Sequence, residues 1–192
     1  MTTKLRQPFT LLILIFSLVA AGTSFAEEKN RFQFRELTLS NSQKELLLFG
    51  TIENSFRSEM AESLQNGISL DFIFFVELHK TTPNWPKELI KSTSFKHTIS
   101  YDTLRDTYQV ILEENNNRAK RFPSLREAQQ ATERINGAKI VAISQLIPGQ
   151  NYQLRIRAEL TQNTIELGAN RILPLIKKKD IKTKWQIIEF TY

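Results

Sequence analysis

The residues that could do chemistry in this chain are few, and most lie in predicted strands or turns. The two histidines, His79 and His97, alternate with their neighbours as strand residues do, and neither has the spacing of a metal-ligand pair. The chain has no cysteine. We therefore predict no metal site and no cofactor, and we interpret both histidines as structural residues at a sheet edge or core margin.

Catalytic constellations are also missing from the sequence. No serine has the glycines and the strand-turn-helix context of a nucleophile elbow, and the glycines are too isolated for a phosphate-binding loop. Two carboxylate pairs, Asp102 with Asp106 and Glu113 with Glu114, lie beside predicted bends, where such residues usually serve the turn. The prediction is that the protein is not an enzyme and has no catalytic residue. The alternative is an enzyme that acts on envelope glycan or lipid, with carboxylates from separate strands meeting in a cleft.

Five residues are candidates for binding a ligand or partner. Arg105 can offer two donors to an acidic or sugar ligand, although a surface pair with Asp102 explains it more simply. Trp85 lies in a loop rich in proline and is expected to plug an end of the core. Lys178 and Lys179 could meet anionic head groups, but a solvated loop accounts for them better.

The chain around these residues is organised by one predicted central strand, Gly67–His79. Ile73 and Phe75 occupy the middle of one face, and Asp71 on that face is expected to meet solvent. A strand that is apolar on both faces must be covered twice. The apolar residues of the other face are Ile68, Leu70, Phe72, Phe74, Val76 and Leu78.

Two helices are predicted from their start and stop signals. The first is capped by Asn54 or Ser55 and ends at Asn66–Gly67. The second begins after Ser124, in capping-box spacing with a glutamate, and ends at Asn136–Gly137. Both helices are short.

The remaining chain is predicted to form strands that short turns connect. The last of these connections is a hairpin between Ile140–Ile147 and Tyr152–Leu160 around a Pro-Gly turn. Strands outnumber helices and do not alternate with them regularly, which favours antiparallel pairing. The predicted fold class is mainly β, of the α+β type: an antiparallel β-sandwich-like or curved-sheet core of about eight strands with two short helices.

The beginning of the chain has the pattern of an export signal. Lys4 and Arg6 precede the apolar run Phe9–Ala21, and small residues follow at cleavage-site positions. We predict that residues 1–26 are a cleaved signal peptide and that residues 27–192 form a single antiparallel β-rich domain in the periplasm. The apolar run is too short to span a bilayer, so no transmembrane span is expected after cleavage.

The charge of the chain bears on its partners. Removing the predicted signal lowers the formal net charge from +6 to +4, because it takes away two basic residues and no acidic one. The remaining basic residues alternate with acidic ones instead of forming a stripe, so we predict no nucleic-acid binding.

A longer series of features resembles a known family. They are the helix end Leu64–Gly67 with the strand Ile68–Phe72 directly after it, Trp85 in the next loop, the segment Tyr101–Val110 and the helix start Ser124–Ala128. Their order resembles the proteobacterial family catalogued as domain of unknown function 4390. The resemblance implies an exported envelope protein, often encoded near a sensor histidine kinase, without an assigned activity.

The function predicted from these observations is a periplasmic, non-enzymatic interaction or binding module of the cell envelope. The resemblance makes a membrane sensor kinase the candidate partner.

Overall fold

Ten strands and two α-helices make up the part of the chain that the structure describes. The structure is a computed structural model, and it describes residues 32–163 and 181–192. The strands form two antiparallel sheets, which confirms the predicted mainly β class with two short helices. In chain order the elements are β1 (Gln33–Asn41), β2 (Glu45–Glu53), α1 (Ser58–Gln65), β3 (Ser69–Thr81), β4 (Glu88–Asp102), β5 (Thr107–Leu112), a 3-10 turn (Glu113–Asn115), β6 (Ala119–Phe122), α2 (Leu125–Glu133), β7 (Arg134–Ala142), a 3-10 turn (Ile143–Gln145), β8 (Asn151–Asn163), β9 (Ile181–Lys182) and β10 (Gln186–Thr191).

The larger sheet is built on both sides of β3, the strand that the sequence predicts to be central. Its seven strands run in the order β10-β8-β3-β4-β5-β6, and β9 pairs with β8 as well. Leu70 lies opposite Ile99 of β4, and Leu78 lies opposite Leu154 of β8. The smaller sheet has the order β1-β2-β7.

The hydrophobic core lies between the two sheets, on the inner face of β3. Phe72 and Phe74 of that face are fully buried. The rings of Phe32 and Phe34, at the start of the smaller sheet, approach those of Phe72 and Phe74 at centroid distances of 6.5 and 6.3 Å. Aromatic pairs at these distances add to the energy of apolar burial, so they help to hold one sheet on the other.

The outer face of β3 is covered by long side chains. The guanidinium carbon of Arg157 lies 4.8 Å from the centre of the Phe75 ring. Trp185, just before β10, lies against Arg155 and Arg157 at 4.7 and 5.0 Å. Phe75 is half-buried as a result, and Ile73 on the same face is also half-buried. The second cover predicted for this strand is therefore made of cation-aromatic contacts.

Asp71 does not face solvent, contrary to the prediction. Only 4% of the residue is exposed. Its carboxylate accepts a 2.6 Å hydrogen bond from the Thr98 hydroxyl, and Lys96 lies 3.4 Å away. Alternation places the side chain on the outer face correctly, but the neighbouring strand supplies the partners that bury it, and a single-strand pattern does not reveal them.

The start of α1 differs from the prediction, whereas its end agrees. The helix begins at Ser58 after Arg57, which makes no side-chain capping bond. Ser55, one of the two predicted caps, donates a hydrogen bond to Glu133 of α2 instead. The predicted stop is correct, since Gly67 has a φ of +80°, a conformation that glycine adopts at least cost.

The second helix begins as predicted and ends early. The Ser124 hydroxyl accepts a hydrogen bond from the Glu127 backbone N–H at 3.3 Å. However, α2 ends at Glu133, and the predicted stop Asn136–Gly137 lies inside β7. The pairing of β2 with β7 skips Gly137, whose φ is +78°, so the glycine forms a bulge. A helix stop and a bulge require the same backbone conformation, which explains the error.

The predicted hairpin between Ile140–Ile147 and Tyr152–Leu160 is not formed. The first segment divides into the end of β7 and the 3-10 turn Ile143–Gln145. β7 pairs with β2 in the smaller sheet, whereas β8 pairs with β3 and β10 in the larger one. The Pro-Gly turn therefore carries the chain from one sheet to the other. The short strand β6 was not predicted.

Candidate functional site

The predicted binding residues Asp102 and Arg105 form a closed turn between β4 and β5. Asp102 Oδ1 accepts hydrogen bonds from the backbone N–H groups of Leu104 and Arg105 at 3.1 and 3.2 Å. The Arg105 guanidinium contacts Asp102 Oδ2 at 2.8 Å. The carboxylate thus serves the turn, and the guanidinium already has a partner, which is the simpler of the two explanations that the sequence allowed.

This turn gives a pH-dependent prediction. The hydrogen bond from Arg105 holds the pKa of the Asp102 carboxyl below its ordinary value, and the backbone N–H groups act in the same direction. We expect the Arg105→Ala variant to raise the pKa of Asp102 in an NMR titration of side-chain carboxyl carbons. Because the folded pKa is lowered, this contribution to stability is present above the unfolded pKa and is lost as the pH falls through the folded value.

A matched variant, Arg126→Ala, removes an exposed guanidinium from α2 and should leave the Asp102 titration unchanged. An Asp102 pKa that is the same with and without Arg105 would contradict the assignment of this shift to the turn.

Trp85, the third predicted binding residue that the structure describes, does not join Asp102 and Arg105. Trp85 lies in the loop between β3 and β4 with 74% of its surface exposed, so it does not plug the core as expected. The 15 residues of β4 separate Trp85 from Arg105, a span of roughly 45 Å at the usual rise of a strand. Lys178 and Lys179 lie outside the described residues. Of the three predicted binding residues that the structure describes, it brings two together, Asp102 and Arg105.

A different group of residues lines a recess at the β6 end of the larger sheet, which we call the basic cleft. It has a volume of about 240 Å³ and lies between β5, β6, α2 and the start of β7. Val110 and Leu112, both buried, contribute an apolar surface. The cations Arg118, Lys120 and Arg134 stand around it. The other lining residues are Asn115, Phe122, Gln130, Ala131 and Asn136.

The cations of the basic cleft have no carboxylate partner among the described residues, unlike two arginines on the outer face of β3. Arg118, Lys120 and Arg134 are exposed, and none forms an ion pair with a carboxylate in the described part of the chain. On the outer face, in contrast, Arg157 contacts Glu159 at 2.9 Å and Arg155 contacts a glutamate at 3.5 Å. The field of the three cleft cations is therefore available to a ligand.

Local sequence explains how the cleft is built. Asn116 and Asn117 have φ values of +58° and +56°, and asparagine tolerates this left-handed region better than most residues. The resulting tight turn returns the chain so that β6 pairs with β5. Above it, α2 is fixed by Thr132, whose carbonyl oxygen lies 2.7 Å from His97 Nδ1. The cleft is thus framed by an ordered hairpin and an anchored helix.

A second recess lies on the other side of the 3-10 turn, with a volume of about 250 Å³. Glu113 and Glu114 both line it, so it is the place to look for the paired carboxylates of the enzyme alternative. The two Glu114 oxygens lie 2.8 and 3.0 Å from His97 Nε2, and 3% of the Glu114 side chain is exposed. This carboxylate is consequently held by the histidine and almost entirely buried.

His97 is not at a sheet edge or core margin, contrary to the interpretation from sequence. It is fully buried, and both of its ring nitrogens have partners. Nδ1 carries a proton because the Thr132 carbonyl can only accept. Nε2 lies within hydrogen-bond distance of both Glu114 oxygens. His97 therefore connects β4, α2 and the 3-10 turn beside both recesses.

Sequence reasoning missed the three cations of the cleft. A signal was present, since Asn115–Asn117 is followed at once by Arg118, Lys120 and Arg121. Three asparagines before alternating basic residues indicate a tight turn into an edge strand. Arg134 had no local signal, because only the packing of α2 brings it to the cleft.

Two further findings concern metal ions and membranes. Among the described residues, no group of three or more histidine, aspartate or glutamate side chains is placed to hold a metal ion. None of the helices in residues 32–163 and 181–192 combines the length and apolarity required for crossing a bilayer.

Comparisons with known proteins place the chain in a family. The model of the domain of unknown function DUF4390 matches residues 29–189. No significant match was found among curated proteins or among solved structures. The match covers nearly all of the chain and agrees with the resemblance carried by its helix ends, central strand and turns. The chain therefore belongs to the DUF4390 family of domains of unknown function.

Proposed function

We propose that the protein is a non-enzymatic interaction module of the cell envelope, and that it binds an acidic partner through the basic cleft. It would act in the periplasm after removal of residues 1–26. The observation that carries the proposal is that Arg118, Lys120 and Arg134 surround an apolar surface and have no carboxylate partner in residues 32–163 and 181–192. Cations arranged in this way attract an acidic surface, and burial of the apolar surface stabilises the complex.

The partner considered first is a protein of the envelope, such as the sensor domain of a membrane kinase. A kinase sensor domain is suggested by the family resemblance alone. The cleft adds a chemical requirement, since the partner must offer carboxylates or other anionic groups together with apolar side chains.

The alternative of an enzyme with a carboxylate pair has less support. It requires two carboxylates free to meet a substrate, and Glu114 is engaged by His97 through both oxygens. Of the two glutamates that line the second recess, Glu113 is the exposed one. A general acid and base pair needs two free carboxyl groups, one on each side of the reacting bond.

A charge-reversal experiment tests the proposal. The double variant Lys120→Glu/Arg134→Glu should fail to complement a deletion strain, because the cleft would repel an acidic partner. Both residues are exposed, so the purified variant should melt within a few degrees of the original protein. Complementation is scored at matched protein level in the periplasmic fraction.

The matched control is Lys44→Glu/Lys91→Glu. It makes the same change in net charge at two exposed lysines that do not line the cleft. This control should complement fully. Equal complementation by both double variants would show that the cleft is not the binding site and would refute the proposal.

A further inference from the structure

We propose that the acidic partner of the basic cleft is an extended peptide segment that joins the larger sheet as a strand beside β6. This inference rests on the proposed function and specifies the partner's chemistry and conformation. Three features carry it: the open edge of β6, the face on which its side chains lie, and the unpaired cations that surround that face.

The edge of β6 is open among the described residues. β6 ends the strand order of the larger sheet and pairs with β5 alone, from Ala119 opposite Ile111 to Phe122 opposite Tyr108. Alternate residues of an edge strand direct their N–H and C=O groups away from the sheet. Ala119, Lys120 and Arg121 are all exposed. The backbone can therefore accept another strand through main-chain hydrogen bonds.

The side chains of β6 identify the face that such a strand would share with the cleft. Lys120 lies opposite Val110, and Phe122 lies opposite Tyr108, both of which are buried on the inner face. A neighbouring strand would place alternate side chains on this face, beneath α2. Side chains directly opposite each other in adjacent strands come into contact, so the partner residues are defined by register.

The register gives the partner a sequence pattern. In the antiparallel direction, an apolar residue opposite Phe122 is followed two positions later by an acidic residue opposite Lys120. A second acidic residue, two further on, comes toward Arg118. Arg134 approaches the same space from the end of α2. The pattern is thus apolar, any, acidic, any, acidic.

The charges also restrict what can pair with the edge. Lys120 and Arg121 repel a basic strand, including β6 of a second copy of this protein, and lysine commonly protects edge strands from pairing in this way. The same two cations attract the carboxylates of an acidic strand. The edge is therefore open to acidic strands and protected from basic ones.

The experiment uses synthetic peptides with blocked ends, because the natural partner is unidentified. The peptide TVTETET places its valine and both glutamates on one face and should bind to the intact domain. A second peptide, TVTEPET, replaces the threonine between the two glutamates with proline. This proline removes a backbone N–H while keeping all the charges, so binding should weaken by at least about tenfold. TVTKTKT should not bind.

The protein variants separate the cleft face from the opposite face. Lys120→Glu should weaken binding of TVTETET by at least about tenfold, because a like charge then faces the peptide carboxylate. Arg121→Glu makes the same charge change on the opposite face of β6 and should have a smaller effect. Calorimetric titration at low salt gives the affinities, and slower amide exchange at alternate residues of β6 reports strand pairing.

Several results would overturn the inference. Equal binding of TVTEPET and TVTETET, or unchanged amide exchange in β6, would mean that the cleft takes carboxylates without adding a strand. Binding to vesicles that contain phosphatidylglycerol, dependent on Lys120 and without peptide binding, would identify a lipid surface instead. If no peptide binds while Lys120→Glu/Arg134→Glu still abolishes complementation, this inference fails and the proposed function stands.

Discussion

Replacing Phe72 with aspartate is expected to prevent the protein from folding stably. Phe72 is fully buried, and its ring lies 5.5 Å from that of Phe56 and 6.5 Å from that of Phe32. The aspartate would be a carboxylate without a partner, in addition to a lost aromatic contact. Losses above about 4 kcal/mol are expected for such a change, which is comparable to the whole stability of many domains. Urea denaturation followed by circular dichroism measures the effect.

Two control substitutions are compared with Phe72→Asp. Leu104→Asp makes the same kind of substitution at a position that is 93% exposed, and it should change stability by no more than about 0.5 kcal/mol. Asp71→Ala should lie between the two, with a loss of about 1–3 kcal/mol, because Thr98 then loses the acceptor of its hydrogen bond. A denaturation midpoint for Phe72→Asp equal to that of Leu104→Asp would contradict the assigned core.

The second large effect is expected from separating the buried pair of His97 and Glu114. Glu114→Ala leaves His97 Nε2 without a partner at a site from which solvent is excluded. Breaking a buried pair in this way typically costs about 3–5 kcal/mol. Glu114→Gln, which retains the size and an acceptor oxygen, should cost less. Thermal and urea unfolding of the variants provide the comparison.

An exposed pair serves as the control for the buried one. Lys80 and Glu88 are 3.6 Å apart, and 66% of the Glu88 side chain is exposed. Glu88→Ala should therefore cost at most about 1 kcal/mol. The double variant His97→Ala/Glu114→Ala should lose about 1–3 kcal/mol less than the sum of its two single variants, since contacting residues are coupled. Additive losses would show that the pair does not interact in solution.

The parts of the fold that local pattern encodes could be predicted from the sequence. The apolar residues on both faces of β3 identified the central strand, because a strand of this kind must be covered twice. The helix cap at Ser124 and the helix stop at Gly67 could also be predicted, since each depends only on residues nearby in the sequence.

The errors occur where distant parts of the chain decide the outcome. Gly137 was read as a helix stop because only its pairing with β2 distinguishes a bulge from a stop. His97 was placed at a margin because its partners, Thr132 and Glu114, come from separate elements. Asp71 was expected in solvent because Lys96 and Thr98 belong to the next strand. In each case the missing information is a contact between elements.

The candidate site follows the same rule. Asp102 and Arg105 were recognised together because they are neighbours in sequence, and this is also why they satisfy each other within one turn. The basic cleft combines a hairpin, a helix end and the start of a strand. Lys120 and Arg134 meet only in the folded chain, so no short motif contains both.

The position of β3 between β4 and β8 has a consequence for how the chain folds. Ser69 pairs with Asn163 and Thr81 with Asn151, so one side of the central strand pairs only with residues from much later in the chain. Pairing over such separations makes folding slow, on the order of milliseconds to seconds. A polypeptide that emerges from a ribosome with its N-terminus first cannot complete this sheet until most of its length is available. Such a topology delays completion of the larger sheet until late in synthesis, which suits the export that we predict for this chain.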